Sequence, residues 1–201
     1  MKDFDNFWEW KLETETENEH ILDKCHQKET YEKLCGILRS WQYARSRRRY
    51  EVDPWATLKN SLTKISNSYD QIRKYTLLEF NEVPNEPLEA IWHELGRVKE
   101  FNGSKKSDGY YNIISICKPL MLLWGQTLAF DSRVRKNISC GYNAVKNHRW
   151  KFEKWKSVIE RFQGSLNPNS EVIDLFNRVS LRKYRNDSIV PYGRFLDIYY
   201  F

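Results

Sequence analysis

The segment Ser115-Ile-Cys-Lys118-Pro-Leu-Met-Leu-Leu-Trp124-Gly-Gln-Thr-Leu-Ala-Phe130-Asp131-Ser-Arg-Val134 decides the reading of this chain. Pro119 to Trp124 is continuously apolar, as a helix sealed in a core would be. One lysine, Lys118, stands at the front of that run, and one aspartate, Asp131, stands at its far end, thirteen residues on. A lysine against an apolar wall holds its proton weakly, and its neutral amine is a nucleophile. An aspartate that opens a helix is oriented by the free N–H groups of that helix. Proline suits the first turn of a helix. The pattern therefore predicts Lys118 at the N-terminal end of one helix and Asp131 as the cap of the next. Amine plus carboxylate is the minimal equipment for attack at a sugar carbon with loss of a base.

Working outward, helical periodicity continues on both sides. Tyr31, Leu34, Cys35, Leu38 and Trp41 follow a 3.6-residue period. Asp53 and Pro54 read as the cap and first residue of a helix that turns Trp55, Leu58, Leu62 and Ile65 inward. Further helices are expected at about 69–80, 88–98, 150–162, 170–179 and 192–201. Alternation of strand type is missing over any useful length. The expected fold is all-α: a compact, two-lobed helical domain. Residues 1–29 form an acidic N-terminal segment, 30–108 a first lobe, and 109–201 a second lobe that carries the Lys–Asp motif. Phe4, Phe7, Trp8 and Trp10 imply that the acidic segment docks on the rest.

The chain has 201 residues, of which 40% are hydrophobic, enough to bury a core. The net charge of +6 is unevenly spread. Residues 1–30 hold four Lys/Arg against nine Asp/Glu, a net of −5, which leaves +11 on the remainder. A basic body suits a polyanionic partner. The longest apolar run is far too short to span a bilayer, and the acidic start lacks the pattern of a signal peptide. A cytoplasmic monomer without membrane contact is expected. Cys25, Cys35, Cys117 and Cys140 fit no zinc or redox spacing, and the four histidines offer no ligand pair at helical spacing. No metal and no cofactor is expected.

The order lysine, apolar helix Leu120 to Trp124, extended link Thr127 to Phe130, and Asp131-Ser-Arg-Val134 resembles the catalytic region of the helix-hairpin-helix DNA glycosylases. The resemblance is to their 8-oxoguanine glycosylase-like branch and covers about 30 residues. It implies a DNA N-glycosylase, with or without abasic-site lyase activity, that excises a damaged or modified base from double-stranded DNA. DNA repair, or defence against phage DNA with modified bases, would use that chemistry. It implies Lys118 as the nucleophile and Asp131 as the carboxylate that stabilises the sugar cation. The alternative is a non-catalytic helical nucleic-acid-binding protein that retains the fold. Its basis is the sequence Asn112-Ile-Ile-Ser-Ile-Cys117, which stands where that family carries glycines.

The remaining candidates follow from what a glycosylase must hold. Arg133, Arg135 and Lys136 flank Asp131 and could meet the phosphates beside an extruded nucleotide. Arg47, Arg48 and Arg49 belong to the densest positive run. A flipped base needs a π-face, and Tyr110, Tyr111, Trp124 and Phe130 lie nearest the motif in sequence. Arg194 and Asp197, three apart, read as an ion pair within a C-terminal helix, at most in a supporting role.

Overall fold

Apolar side chains spaced three and four apart become the inner faces of helices. The computed structural model describes residues 2–44, 50, 52–99, 109–138, 148–166, 171, 174–175 and 191–200, and it is predominantly helical. The helices are α1 (Lys2–Thr14), α2 (Gln27–Ser40), α3 (Pro54–Lys64), α4 (Ser66–Ile72), α5 (Asn85–Gly96), α6 (Ile113–Trp124), α7 (Ser132–Asn137), α8 (Phe152–Ser165) and α9 (Tyr192–Tyr200). Two 3-10 segments, Leu77–Glu82 and Arg97–Lys99, flank α5. Among the described residues the only sheet is a two-residue antiparallel ladder. It joins β1 (Tyr111–Asn112) to β2 (Arg149–Trp150), with Tyr111 opposite Trp150. No helix among the described residues is long and apolar enough to cross a membrane. The helix expected at 170–179 lies mostly outside the described residues.

The acidic N-terminal segment is part of the core. Phe4, Phe7 and Trp8 of α1 are buried, and α1 touches both α2 and α6. A buried polar chain fixes its end: Lys11 reaches Glu15 at 2.6 Å, and the other Glu15 oxygen lies 2.6 Å from the Tyr69 hydroxyl. One cluster of buried side chains runs from Phe4 to Leu196. Trp92 of α5 meets Trp155 of α8 with ring centroids 5.4 Å apart. Phe80 meets the same Trp155 edge-on at 5.9 Å.

Two expectations are corrected. The helix expected over 69–80 is broken: α4 stops at Ile72 and Thr76 is extended, followed by the 3-10 segment. The Glu79 carboxylate accepts the Thr76 N–H at 2.9 Å, and Gln126 Oε1 accepts the Leu77 N–H at 2.8 Å. Side chains thus satisfy the backbone that a continuous helix would have used. The second correction concerns Lys118, which is not at a helix start. α6 begins five residues earlier, where Asn112 extends its backbone and accepts the Ile114 N–H at 3.0 Å.

Pro119 therefore lies inside α6. A proline there has no N–H for the carbonyl four residues back, which belongs to Ser115. The Tyr43 hydroxyl donates to that carbonyl at 2.7 Å from the end of α2. Ten of the twelve α6 residues are buried, so water could not have filled this role. The helix ends at Gly125, whose φ of 75° is left-handed. A Cβ at Gly125 would collide with Pro191 and Trp8, and one at Gly193 would collide with the Thr127 backbone. The Gly193 N–H donates to the Gly125 carbonyl at 2.9 Å. These two glycines let the start of α9 lie directly on the 125–127 backbone, and this contact sets where Arg194 and Asp197 fall.

Tyr43→Phe is expected to cost about 1–3 kcal/mol, because a buried carbonyl loses its donor. In a Pro119→Ala background the new N–H serves the same carbonyl, so Tyr43→Phe should cost clearly less there. Urea unfolding of the four variants reads the cycle; equal losses in both backgrounds would remove this account of Tyr43.

Candidate active site

Lys118 is the one charged residue of α6. It is half-buried, and its amine donates to the Trp41 carbonyl at 3.1 Å, 5.7 Å above the Trp41 ring. The geometry of α2's end explains why that carbonyl is available. The Tyr43 N–H closes back on the Leu38 carbonyl at 2.8 Å and the Gln42 N–H on Arg39 at 2.9 Å. Gln42 takes the left-handed φ of 52° that this helix ending demands. The Trp41 carbonyl is left outside the helical ladder and accepts the lysine.

Asp131 caps α7 as its position predicts. Its Oδ1 accepts the Arg133 N–H at 2.8 Å and the Val134 N–H at 3.0 Å. The residue before it, Phe130, has a φ of 51°, in a region costing a bulky residue on the order of 1 kcal/mol or more. Phe130 is wholly buried, edge-on to Trp150, and the Arg135 guanidinium donates to its carbonyl. Packing and one charged hydrogen bond hold this strained corner, and the corner turns Asp131 towards Lys118's side of the molecule.

The third member is Asp197 of α9. It is 5% exposed and accepts the Ala129 N–H at 2.9 Å and the Arg194 guanidinium at 3.1 Å. Arg194 in turn lies 4.9 Å over the Phe4 ring. Lys118, Asp131, Asp197, Arg194 and Trp41 all line one cavity of about 550 Å³. That volume falls in the range of small-molecule sites.

The charges in this cavity act on one another. Burial lowers the Lys118 ammonium below the ordinary lysine pKa, and attraction from Asp131 and then Asp197 opposes the shift. Burial raises the Asp197 carboxyl. The Ala129 N–H and Arg194 oppose that rise, Asp131 adds to it, and Lys118 works against it. The result is an amine that gives up its proton more easily than a surface lysine does, set among carboxylates that favour a developing cation. Such an arrangement can add an amine to an electrophilic carbon and stabilise positive charge beside it.

Several expected site residues lie elsewhere. Arg135 is 3% exposed and bound to the Phe130 carbonyl, so it holds the corner and is sealed from any phosphate. Arg133 and Lys136 are exposed on α7. Arg47, Arg48 and Arg49 lie outside the described residues. The four base-stacking candidates lie apart from this cavity. Phe130 is sealed against Trp150, and Trp124 is sealed beside Phe80 with its N–H on the Tyr75 carbonyl at 3.0 Å. Tyr111 covers Gly96 and meets His93 at 3.2 Å, and Tyr110 is exposed beneath the Lys151 ammonium. None of the four lines the cavity; Trp41 does. Its place in the 3.6-residue period from Tyr31 assigns it to a core face, and the structure sets it just past the end of α2. The signal for Asp197 was an acid inside the otherwise apolar run Phe195-Leu-Asp-Ile198.

Glu19, Cys25 and His26 bring three ligand-type atoms within 4.8 Å of one another, and a metal ion could be held there. The adjacent Cys25 and His26 converge because residues 21–26 form turns, whereas on a helix they would diverge. None of the three lines the Lys118 cavity.

Asp197→Ala is expected to cost about 3 kcal/mol, because it strands the buried Arg194 charge and the Ala129 N–H together. Asp197→Asn, which keeps an acceptor for Ala129, should cost less. Urea unfolding measures both, and a neutral Asp197→Ala would mean that the pair does not anchor α9.

Comparison with protein-family models, with curated proteins and with solved structures found no match to this chain.

Proposed function

We propose that this protein is a DNA N-glycosylase of the helix-hairpin-helix type, with an abasic-site lyase step, acting on a damaged or modified base in duplex DNA. The observation that carries the reading is that Lys118 and Asp131, thirteen residues apart, line one nucleotide-sized cavity, the lysine with a weakened hold on its proton.

The chemistry follows from the side chains. A base extruded from the duplex enters the cavity, against Trp41 as the available π-face. The neutral Lys118 amine attacks the anomeric carbon of the sugar. The glycosidic C–N bond breaks, its electron pair leaves with the base, and the base takes up a proton. Asp131 stabilises the sugar cation as that bond lengthens, because its carboxylate is already fixed by two N–H groups and needs no reorganisation. The nitrogen, having given one proton to the departing base, forms the C=N bond with its electron pair as the C1′–O4′ bond breaks; O4′ takes up a proton from solvent, which leaves a protonated imine between Lys118 and the opened sugar. From the imine, removal of a proton at C2′ expels the 3′ phosphate and cuts the strand; hydrolysis releases the lysine. Repair of damaged DNA and attack on modified phage DNA both use this sequence of steps. The net +11 outside residues 1–30 supports the duplex as partner.

Borohydride reduces the imine to a stable amine, which makes the intermediate visible as a covalent protein–DNA adduct. On a panel of lesion-bearing duplexes the wild type is expected to form the adduct on at least one lesion. Lys118→Gln should lose it while DNA binding persists. Asp131→Asn keeps the helix cap and should slow base release by about 10²–10³. Binding without adduct on every lesion, abasic sites included, is the outcome of a non-catalytic binder.

Affinity for DNA should fall at least about tenfold between 50 and 200 mM salt, as phosphate-driven binding does. Replacing Arg47, Arg48 and Arg49 by Ala should weaken binding to all sequences alike. Salt-independent affinity in a filter or fluorescence assay would count against nucleic acid as the partner.

A further inference from the structure

The connection between α1 and α2 carries three metal-ligating side chains that the Lys118 cavity does not use. One donor atom each from Glu19, Cys25 and His26 lies within 4.8 Å of the other two: a carboxylate oxygen, a sulfur and a ring nitrogen. The backbone beneath them is fixed from several directions. Arg73, just past the end of α4, donates to the Thr16 carbonyl at 2.7 Å and to the Glu17 carbonyl at 2.9 Å. Thr16 Oγ1 accepts the Glu19 N–H at 3.1 Å, and the Thr16 N–H donates to the Glu19 carbonyl at 2.9 Å. Ile21 and Leu22 are wholly buried, and the Gln27 side chain donates to the Leu22 carbonyl at 3.0 Å. The Asp23 carboxylate accepts the His20 N–H at 2.6 Å, and its carbonyl accepts the His26 N–H at 2.9 Å. Thr16, His20, Asp23 and Gln27 are thus committed to holding the loop. His26 stands at the cap position of α2 without using its ring as a cap. Among the described residues the side chains of Glu19, Cys25 and His26 have no hydrogen bond or ion pair. The three uncommitted groups are the three that converge.

We propose that Glu19, Cys25 and His26 bind a zinc ion, with water in the fourth position. The donor set selects the metal. A thiolate and an imidazole disfavour magnesium and calcium, which take oxygen ligands, whereas zinc accepts sulfur, nitrogen and carboxylate oxygen together. Tetrahedral zinc, with bonds of about 2.0–2.3 Å, spaces its donors roughly 3.3–3.8 Å apart. Cys25 and Glu19 are exposed, so rotation of their side chains closes the remaining gap. On binding, the Cys25 thiol gives its proton to solvent and His26 binds through a neutral ring nitrogen. The ion then ties Glu19, at the front of the connection, to Cys25 and His26 at the threshold of α2. An ion held by the folded loop stabilises the fold by mass action. None of the three residues lines the Lys118 cavity, so the proposal stands apart from the glycosylase reading.

The test uses the full chain with its thiols reduced. Cobalt(II) stands in for zinc and reports its ligands. Added to the wild type, it is expected to give a thiolate-to-cobalt charge-transfer band and the intense visible bands of four-coordinate cobalt. One equivalent of zinc should abolish both, and excess magnesium should not. Zinc titration against a chromophoric chelator then gives the affinity. Loss of a partner outside the ligand shell typically costs about 10–100-fold, and loss of a ligand costs at least as much. Cys25→Ser and His26→Gln are therefore each expected to weaken zinc at least about tenfold, and Glu19→Gln to weaken it in the same direction. Cys140→Ser and Lys118→Gln should leave the affinity unchanged. Zinc should raise the urea midpoint of the wild type and not that of Cys25→Ser. A readout without variants is alkylation of Cys25 by iodoacetamide, followed by peptide mass spectrometry, which zinc should slow. A missing charge-transfer band overturns the proposal. So does zinc affinity that survives in both Cys25→Ser and His26→Gln, or Cys25 alkylation at the same rate with and without zinc.

Discussion

A proline inside a buried helix leaves one carbonyl to be satisfied from outside, and here the Tyr43 hydroxyl does so. That hydrogen bond, 2.7 Å long to Ser115, is the constraint on which the site depends. It pins the end of α2 against the middle of α6 at the level of Lys118. The same turn then presents two carbonyls and two rings, and each receives a lysine. A helix without Pro119 would have no need of Tyr43 at that point. The stabilising contact and the cradle of the candidate nucleophile are therefore one piece of structure.

The opposite wall of the cavity is built by close backbone approach. Gly125 and Gly193 let α9 touch the extended link, and one turn later Asp197 takes the Ala129 N–H. Phe130 is held in a left-handed conformation between that anchor and the cap at Asp131. Local strain, a buried acid and a half-buried lysine thus meet at one place. Functional sites commonly concentrate such costs. The rest of the fold is ordinary helix packing, with an aromatic cluster of Phe80, Trp92 and Trp155 in the core.

Much of this was legible in the sequence, and the failures have physical causes. Periodicity and the Asp53-Pro54 and Asp131 caps gave the helices, since both are local signals. Lys118 and Asp131 were visible because charged residues bounding an apolar run are rare. The start of α6 was misplaced because Pro119 looked like a first-turn proline, and only a residue 76 positions away, Tyr43, makes its interior position tolerable. The stacking candidates fall away from the cavity because sequence proximity to Asp131 says nothing about which side of the core a ring faces. Trp41 could not be read as a cavity residue, because its place there comes from a long-range contact with Lys118 of α6. Asp197 was seen as an ion-pair partner of Arg194, which it is. Its contact with Ala129 depends on α9 docking and leaves no local trace.

The central claim is that the Lys118 amine forms a covalent bond to a DNA sugar. Its most direct test is to trap the protein with borohydride on a duplex carrying an abasic site, digest the adduct, and locate the modified residue by mass spectrometry. The account predicts a reduced sugar adduct on Lys118. An adduct on a different lysine, or no adduct although the duplex is bound, would contradict it.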